Sequence, residues 1–349
     1  MIYTALYLAL CSLVPFGSAR GRGNVALLAA ATVILFLFVG FRWEVGCDWS
    51  GYWNIFELHR QSTVEEAVGS REAGFSLLNV LIHALALDYF FVNVASALLF
   101  FLGLFLFAQR EHNPLAVVAL SFPVLIVNMP MSGMRQAIAI GCLMVAINAY
   151  RDGKRVLYAA LVLIAATFHQ TAILFLGLAP LIRIEKTIAT VGFALLLSAP
   201  ALYLISTDLI GFYSERYGEA AIDSTGAPFR TGVLALVGAA FLLTMQGRWR
   251  RAFPDDHELY LIASLLMIAS FPVALYSSTV GDRLGYYLIP FQVVVLTRIP
   301  ILFKKDPLVP VYAAAPYVGF LVFFALWTNF SALFEQCYLP YRSVLTGQD

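Results

Sequence analysis

Five short stretches of the sequence place side chains that could do chemistry inside otherwise apolar surroundings. FRWEVGCDWSGYW at 41–53 carries Arg42, Glu44, Asp48 and Tyr52 among tryptophans. Asp48 and Tyr52 stand at i and i+4, so a helix from about residue 47 would hold them on one face. SREAGFSLLNVLI opens with Arg71 and Glu72. A helix N-terminus there would stabilise the carboxylate through its dipole and free amides, and Gly74 permits close approach of another group. MSGMRQAIAIG sets Arg135 and Gln136 at the head of an apolar run, and ATFHQTAIL sets His169 and Gln170 inside one. STVGDRLGYYLIP brings Asp282, Arg283, Tyr286 and Tyr287, with Arg216 and Arg230 upstream.

The chemistry this set favours is anion binding. An arginine near the centre of a bilayer costs roughly 2.5–3.5 kcal/mol on insertion scales, so it normally faces a cavity or a partner. Guanidinium forks bind phosphate oxygens in pairs. Arg42, Arg71, Arg135, Arg230 and Arg283 are therefore candidate ligands for a phosphate-bearing substrate resident in the membrane. Each stretch also has a plainer reading. Trp43, Trp49, Tyr52 and Trp53 suit an aromatic belt at headgroup depth, Glu72 a helix cap, Arg135 a snorkelling side chain, and His169 a hydrogen-bonded structural residue. Asp282 with Arg283 could be an ion pair closing a turn, worth at most about 1 kcal/mol when exposed.

The elements that must position these residues are membrane helices. Of 349 residues, 61% are hydrophobic and 12% charged, and the mean hydropathy is +0.81; soluble domains carry about twice that charge. Runs such as NVALLAAATVILFLFVGF are long enough to span and do not alternate, which excludes a transmembrane β-barrel. Apolar runs fall at about 2–16, 24–41, 74–88, 89–108, 114–129, 133–150, 155–182, 187–206, 229–246, 258–278, 284–303 and 308–332. The loops holding Arg20 and Arg22, Arg151 to Arg155, Arg183 and Lys186, Arg248 to Arg251, and Arg298 to Lys305 are basic, and the positive-inside rule puts them in the cytoplasm.

With residue 42 outside and the 151–155 loop inside, 74–88 reads as a short helix on the outer face. The run 155–182 must leave the cytoplasm and return to it. About 14 residues per arm rise about 21 Å, against about 30 Å of hydrocarbon, so this run reads as a re-entrant hairpin that turns at His169. The expected fold is all-α: one polytopic transmembrane domain over 1–349, with about ten full spans plus short re-entrant and interfacial helices. An amphipathic loop at 42–72, a loop at 207–229 and turns at 129–133 and 279–283 would all face outside.

Several function classes drop out. A net charge of +1 argues against a nucleic-acid partner. No G-x-x-x-x-G-K, H-E-x-x-H or C-x-x-C spacing occurs, so neither a metal nor another cofactor is expected. Cys11 and Cys142 lie in apolar helices, whereas Cys47 and Cys337 share the outer side, where a disulfide could form. The first 23 residues lack a basic n-region and read as an uncleaved first helix with its N-terminus outside.

The order of the motifs resembles the EpsG family of exopolysaccharide-synthesis membrane proteins, itself similar to Wzy-type polysaccharide polymerases. The residues that carry the resemblance are Arg42, Gly46, Asp48 and Tyr52, then Glu72, Gly74 and Phe75, then Arg135, Gln136 and Ala139, then Phe168, His169 and Thr171, and last Arg283 and Tyr287. The resemblance implies a GT-C-like helical bundle and a metal-independent glycosyltransferase. Such an enzyme would join undecaprenyl-diphosphate-linked oligosaccharide repeat units at the outer face of the bacterial plasma membrane, in exopolysaccharide, capsule or O-antigen synthesis, alongside other polysaccharide-export proteins. In that setting the five arginines, Arg135, Arg283 and Arg42 foremost, would stabilise charge on the leaving diphosphate. Asp48, Glu72 and His169 are the candidate catalytic groups that could accept the proton of the attacking hydroxyl. Trp49, Tyr52, Gln136 and Tyr287 would bind the sugars. The rival readings are a lipid-linked oligosaccharide flippase or transporter, which would need polar residues reaching both faces, an O-antigen ligase, and a membrane acyltransferase.

Overall fold

The computed structural model describes residues 2–18, 22–182, 188–190, 192–199 and 226–347. Regular structure among them is helical, with one isolated antiparallel bridge between Arg42 and Ser343. The long apolar runs become α1 (Ile2–Leu13), α2 (Arg22–Gly40), α6 (Phe90–Ala108), α7 (Pro114–Ser121) and α8 (Met134–Arg151). Between α2 and α6 lie the short helices α3 (Trp49–Leu58), α4 (Val64–Gly69) and α5 (Ala73–Ala84). Four helices among the described residues are long and apolar enough to cross a membrane: Phe90–Ala108, Ala227–Ala252, His257–Tyr276 and Val309–Phe330. Shorter apolar helices accompany them, among them Ile2–Gly17, Asn24–Gly40 and Arg155–Phe168, and some apolar runs are broken. Pro123 removes an amide that an α-helix would use, and α7 passes into a π-helical stretch at Phe122–Ile126.

The chain divides into two compact units. One comprises Met1–Asn148, Ala160–Gln170 and Pro316–Asp349; the other comprises Ala149–Ala159 and Thr171–Ala315. In the first unit, α6 and α8 cross in backbone contact, since a Cβ on Gly103 would lie 2.3 Å from the Gly141 carbonyl oxygen. A core of Tyr52, Phe56, Phe75, Ile82, Tyr89, Val92, Met134 and Ile138 ties α3 and α5 to α6 and α8. It fixes the short helices beneath the motif residues they carry.

In the second unit, the helices Ala227–Ala240, His257–Tyr276 and Ser278–Thr297 pack together. Gly281 allows the hairpin about Ser277, where a Cβ would meet the Ala274 Cα at 2.3 Å. Residues 279–283, expected as an external turn, are instead the first turns of Ser278–Thr297, so the connection is Ser277 alone. α9 (Arg155–Phe168) stops at His169, and a 3₁₀ segment follows at Gln170–Leu181. Arg155 Nη2 donates to the Ile182 carbonyl at 2.9 Å, closing the base of the hairpin read from the sequence. Of the expected external loop at 207–229, residues 207–225, with Arg216, lie outside the described residues, as do Arg183 and Lys186.

Candidate functional site

The site begins with a clamp in the first unit. Gly46 adopts φ +114, a left-handed conformation, and a Cβ there would lie 1.9 Å from the Met131 carbonyl oxygen. Arg42 points into the same turn. Its Nε donates to the carbonyls of Val45 and Met131 at 3.0 and 3.2 Å, and its Nη1 donates to that of Val39 at 2.8 Å. Arg42 is 1% exposed. The guanidinium expected to hold phosphate is thus spent on backbone carbonyls that fix the 129–133 turn.

The C-terminal segment straps the other side of this loop. Cys47 and Cys337 form a disulfide across 290 residues. Arg342 pairs with Glu44 at 2.6 Å, and the Ser132 and Tyr338 hydroxyls hydrogen-bond at 2.9 Å. Because the 129–133 turn immediately precedes α8, the clamp and strap together set where Arg135 starts.

The chemical centre is Glu72. It lies 12% exposed just before α5, a helix shorter than a membrane crossing. Arg135 Nη1 donates to its Oε2 in an ion pair, and His169 Nδ1 lies 2.7 Å from its Oε1. A carboxylate can only accept, so Nδ1 carries the proton and Nε2 is the basic nitrogen of the ring. Gly74 makes this meeting possible: a Cβ there would come 2.4 Å from Thr167 Oγ1 and 3.1 Å from Thr167 Cβ, two residues before His169.

Tyr52 completes the group from α3. The Arg135 backbone amide donates to its hydroxyl at 3.4 Å, and the guanidinium carbon sits 5.7 Å from its ring centroid. Burial raises the Tyr52 phenol, against the opposing pull of Arg135. Burial also acts to raise the Glu72 carboxyl, but the His169 hydrogen bond and then the Arg135 charge outweigh it and hold the group below its ordinary value. Glu72 is a carboxylate at neutral pH. Arg135 remains 38% exposed along its side chain while its buried Nε has no hydrogen-bond partner, which leaves a cation with donor capacity for an anionic ligand.

The other expected residues are placed as follows. Asp48 is exposed at the N-cap of α3, and Arg71 is exposed beside Glu72. Gln136 is buried. Trp49 stacks on Trp53 at 5.5 Å and meets Trp43 and Tyr89 edge-on at 5.4 Å, so much of its ring is packed within an aromatic cluster. In the second unit, Arg230 grips Asp282 with two hydrogen bonds, Nε to Oδ1 at 2.8 Å and Nη2 to Oδ2 at 2.6 Å, and lies over the Tyr286 ring. Asp282 therefore has a partner one helix away as well as the neighbour Arg283 considered from sequence. Arg283 itself is exposed. Tyr287 is fully buried, with its ring against Phe175 and its hydroxyl 3.4 Å from that of Thr171.

Sequence reasoning raised the Cys47–Cys337 disulfide as possible but missed the Arg42 clamp, the other contacts of the strap and a second charged cluster. Arg298, expected in an exposed cytoplasmic loop, is 5% exposed. Its Nη1 donates to Asp256 Oδ2 at 2.8 Å, while Trp249 Nε1 donates to Oδ1 at 2.9 Å. The Trp249 and Phe253 rings cover the guanidinium at 4.7 and 4.3 Å. Among the described residues, no group of three or more His, Cys, Asp or Glu is arranged to hold a metal ion.

Apolar helices of membrane-crossing length, with a buried charge centre among the shorter ones, define a helical membrane protein. The EpsG family model matches residues 25–343, and the chain belongs to this family of proteins connected with exopolysaccharide synthesis. All five motif stretches fall inside the matched region. No curated protein and no solved structure matches the chain.

Proposed function

We propose that the protein is a polysaccharide polymerase that transfers a growing glycan from undecaprenyl diphosphate to the hydroxyl of another lipid-linked repeat unit. The observation that carries this reading is the sharing of one carboxylate, Glu72, between Arg135 and His169. These residues come from three of the motifs that carry the resemblance, and Arg135 and His169 stand 63 and 97 positions from Glu72. The reaction needs little else. The acceptor oxygen bonds to the anomeric carbon of the donor, and the bond from that carbon to the phosphate oxygen breaks with its electron pair going to the diphosphate. The hydroxyl proton passes to a base. A diphosphate leaves without being protonated, so a guanidinium that stabilises its charge suffices. The centre supplies that guanidinium and a group that accepts the proton.

The setting we propose is a single GT-C-like transmembrane domain of about ten spans in the bacterial plasma membrane, with the 42–72 loop and the site facing outside. The Cys47–Cys337 disulfide supports that orientation, because such bonds persist in oxidising compartments. Exposed Arg248, Arg250 and Arg251 at the end of Ala227–Ala252, with exposed Lys304 and Lys305, support a cytoplasmic side there. Arg71, exposed beside Glu72 in the same unit, is the further arginine that supports phosphate binding at this centre. Arg42 and Arg230 serve the scaffold in this reading.

The test is purified protein in proteoliposomes with undecaprenyl-diphosphate-linked repeat units and no other enzyme. A ladder of lengthened glycans that Arg135→Ala abolishes is the expected outcome. Units that cross the bilayer without lengthening would instead mark a flippase.

A further inference from the structure

The shared carboxylate suggests a coupling that a simple list of catalytic groups does not contain. Glu72 touches the anion-binding group with one oxygen and the proton-accepting group with the other. We propose that Glu72 is a positioning residue that couples donor binding to proton abstraction: a diphosphate arriving on Arg135 competes with Oε2 for the guanidinium and leaves the carboxylate charge to His169. This inference rests on the polymerase reading.

The geometry assigns the parts. Oε1 orients the imidazole by accepting its Nδ1 proton, so Nε2 is the nitrogen that receives the proton of the acceptor hydroxyl. The resulting imidazolium lies directly against the carboxylate. Oε2 neutralises Arg135 in the unliganded protein, which spares it an unpaired, part-buried guanidinium. A diphosphate provides more negative charge than one carboxylate and can use the Arg135 Nε that now lacks a partner. Charge then shifts in one direction: phosphate to Arg135, carboxylate to His169. The Tyr52 phenol, itself under the influence of Asp48, also faces Arg135. Glu72 is therefore not the base, and a base armed only when donor is bound does not act on a misplaced hydroxyl.

The coupling makes an unusual prediction for Glu72→Gln. If the carboxylate merely held the site together, neutralising it would weaken donor binding and turnover alike. If it competes with the donor for Arg135, the variant binds undecaprenyl diphosphate more tightly than wild type, by several-fold, while turnover falls about 100-fold or more, the typical contribution of a positioned proton acceptor. His169→Asn should lose turnover to a similar extent with donor affinity unchanged, and Arg135→Gln should lose affinity.

Binding of fluorescent undecaprenyl diphosphate to the purified full chain gives the affinity, and chain elongation in proteoliposomes gives the turnover. Gly74→Ala is a second route that leaves the carboxylate in place: the added methyl pushes on Thr167 and draws His169 from Oε1, so turnover should fall with affinity kept. Weaker binding by Glu72→Gln, or full turnover in it, overturns the coupling. Absence of elongation by the wild type overturns the polymerase reading itself, and the affinity measurements still decide whether Glu72 and a diphosphate compete for Arg135.

Discussion

Glu72 in the first unit and Asp256 in the second are both enclosed carboxylates paired with arginine, yet they are built for different ends. Asp256 has every direction filled. Trp249 donates to one oxygen and Arg298 to the other, Arg151 Nε approaches the latter at 3.4 Å, and aromatic rings cover the Arg298 guanidinium. Arg298 is 6% exposed along its side chain, whereas the Arg135 that pairs with Glu72 is 38% exposed. Asp282 resembles Asp256, since Arg230 closes it with a two-point grip. An arginine that grips a carboxylate and lies against aromatic rings holds helices together. One with a spare donor and an open side is available to a ligand.

The comparison breaks most sharply under mutation of its cations. Arg135→Ala should reduce polymer formation by more than about 100-fold, because charge on the leaving diphosphate would go unstabilised, while the protein still accumulates in the membrane. Polymer yield and immunoblotted protein level in the same cells check this. Asp256→Ala should show the reverse pattern. Removing one partner of an enclosed pair leaves the other charge uncompensated and costs about 3–5 kcal/mol. Thermal unfolding in detergent should show a large drop, with the activity per folded molecule retained. Equal loss of specific activity in the two variants would remove the distinction between ligand-facing and scaffold arginines.

This contrast also explains what the sequence could and could not reveal. Glu72, Arg135 and His169 stand out in the linear chain because ionisable groups in apolar runs are costly and need a reason. Their mutual contact does not, since it depends on Gly74 admitting Thr167 and on the core that joins α3, α5 and α8. Arg42 looked like a phosphate ligand because its partners are backbone carbonyls, which no pattern of side chains discloses. Asp282 suggested its neighbour Arg283, and the two-point grip from Arg230, 52 residues away, could not be read from the chain. The helical class and the break at His169 were legible from hydropathy and from hairpin length. Span lengths were less so, because hydropathy runs continue through points where the backbone does not, as at Phe122–Ile126.

Smaller effects sharpen the role of the clamp and strap. Gly46→Ala combines a left-handed backbone with a collision against the Met131 carbonyl, neither of which a rotamer change can relieve. A loss of about 1–3 kcal/mol in stability is expected, with a turnover deficit because the displaced turn carries Arg135. Asp282→Asn, in the second unit, should show no such turnover deficit. Cys47→Ser should cost about 2–4 kcal/mol of stability in non-reducing conditions, and reductant should destabilise the wild type to match it while leaving the variant unchanged.

The smallest effect is the most specific to Glu72. Its carboxyl is held below the ordinary value of 4.5 in the folded protein, so the folded state binds this proton less readily than the unfolded chain does. The resulting stabilisation is fully present above about pH 4.5 and disappears as pH falls through the lower folded value. Glu72→Gln has no proton to bind at this position. The difference in unfolding temperature between wild type and variant should therefore narrow as pH falls below about 4.5. A difference that stays constant through the acid range would mean that Arg135 and His169 do not favour the charged form of Glu72.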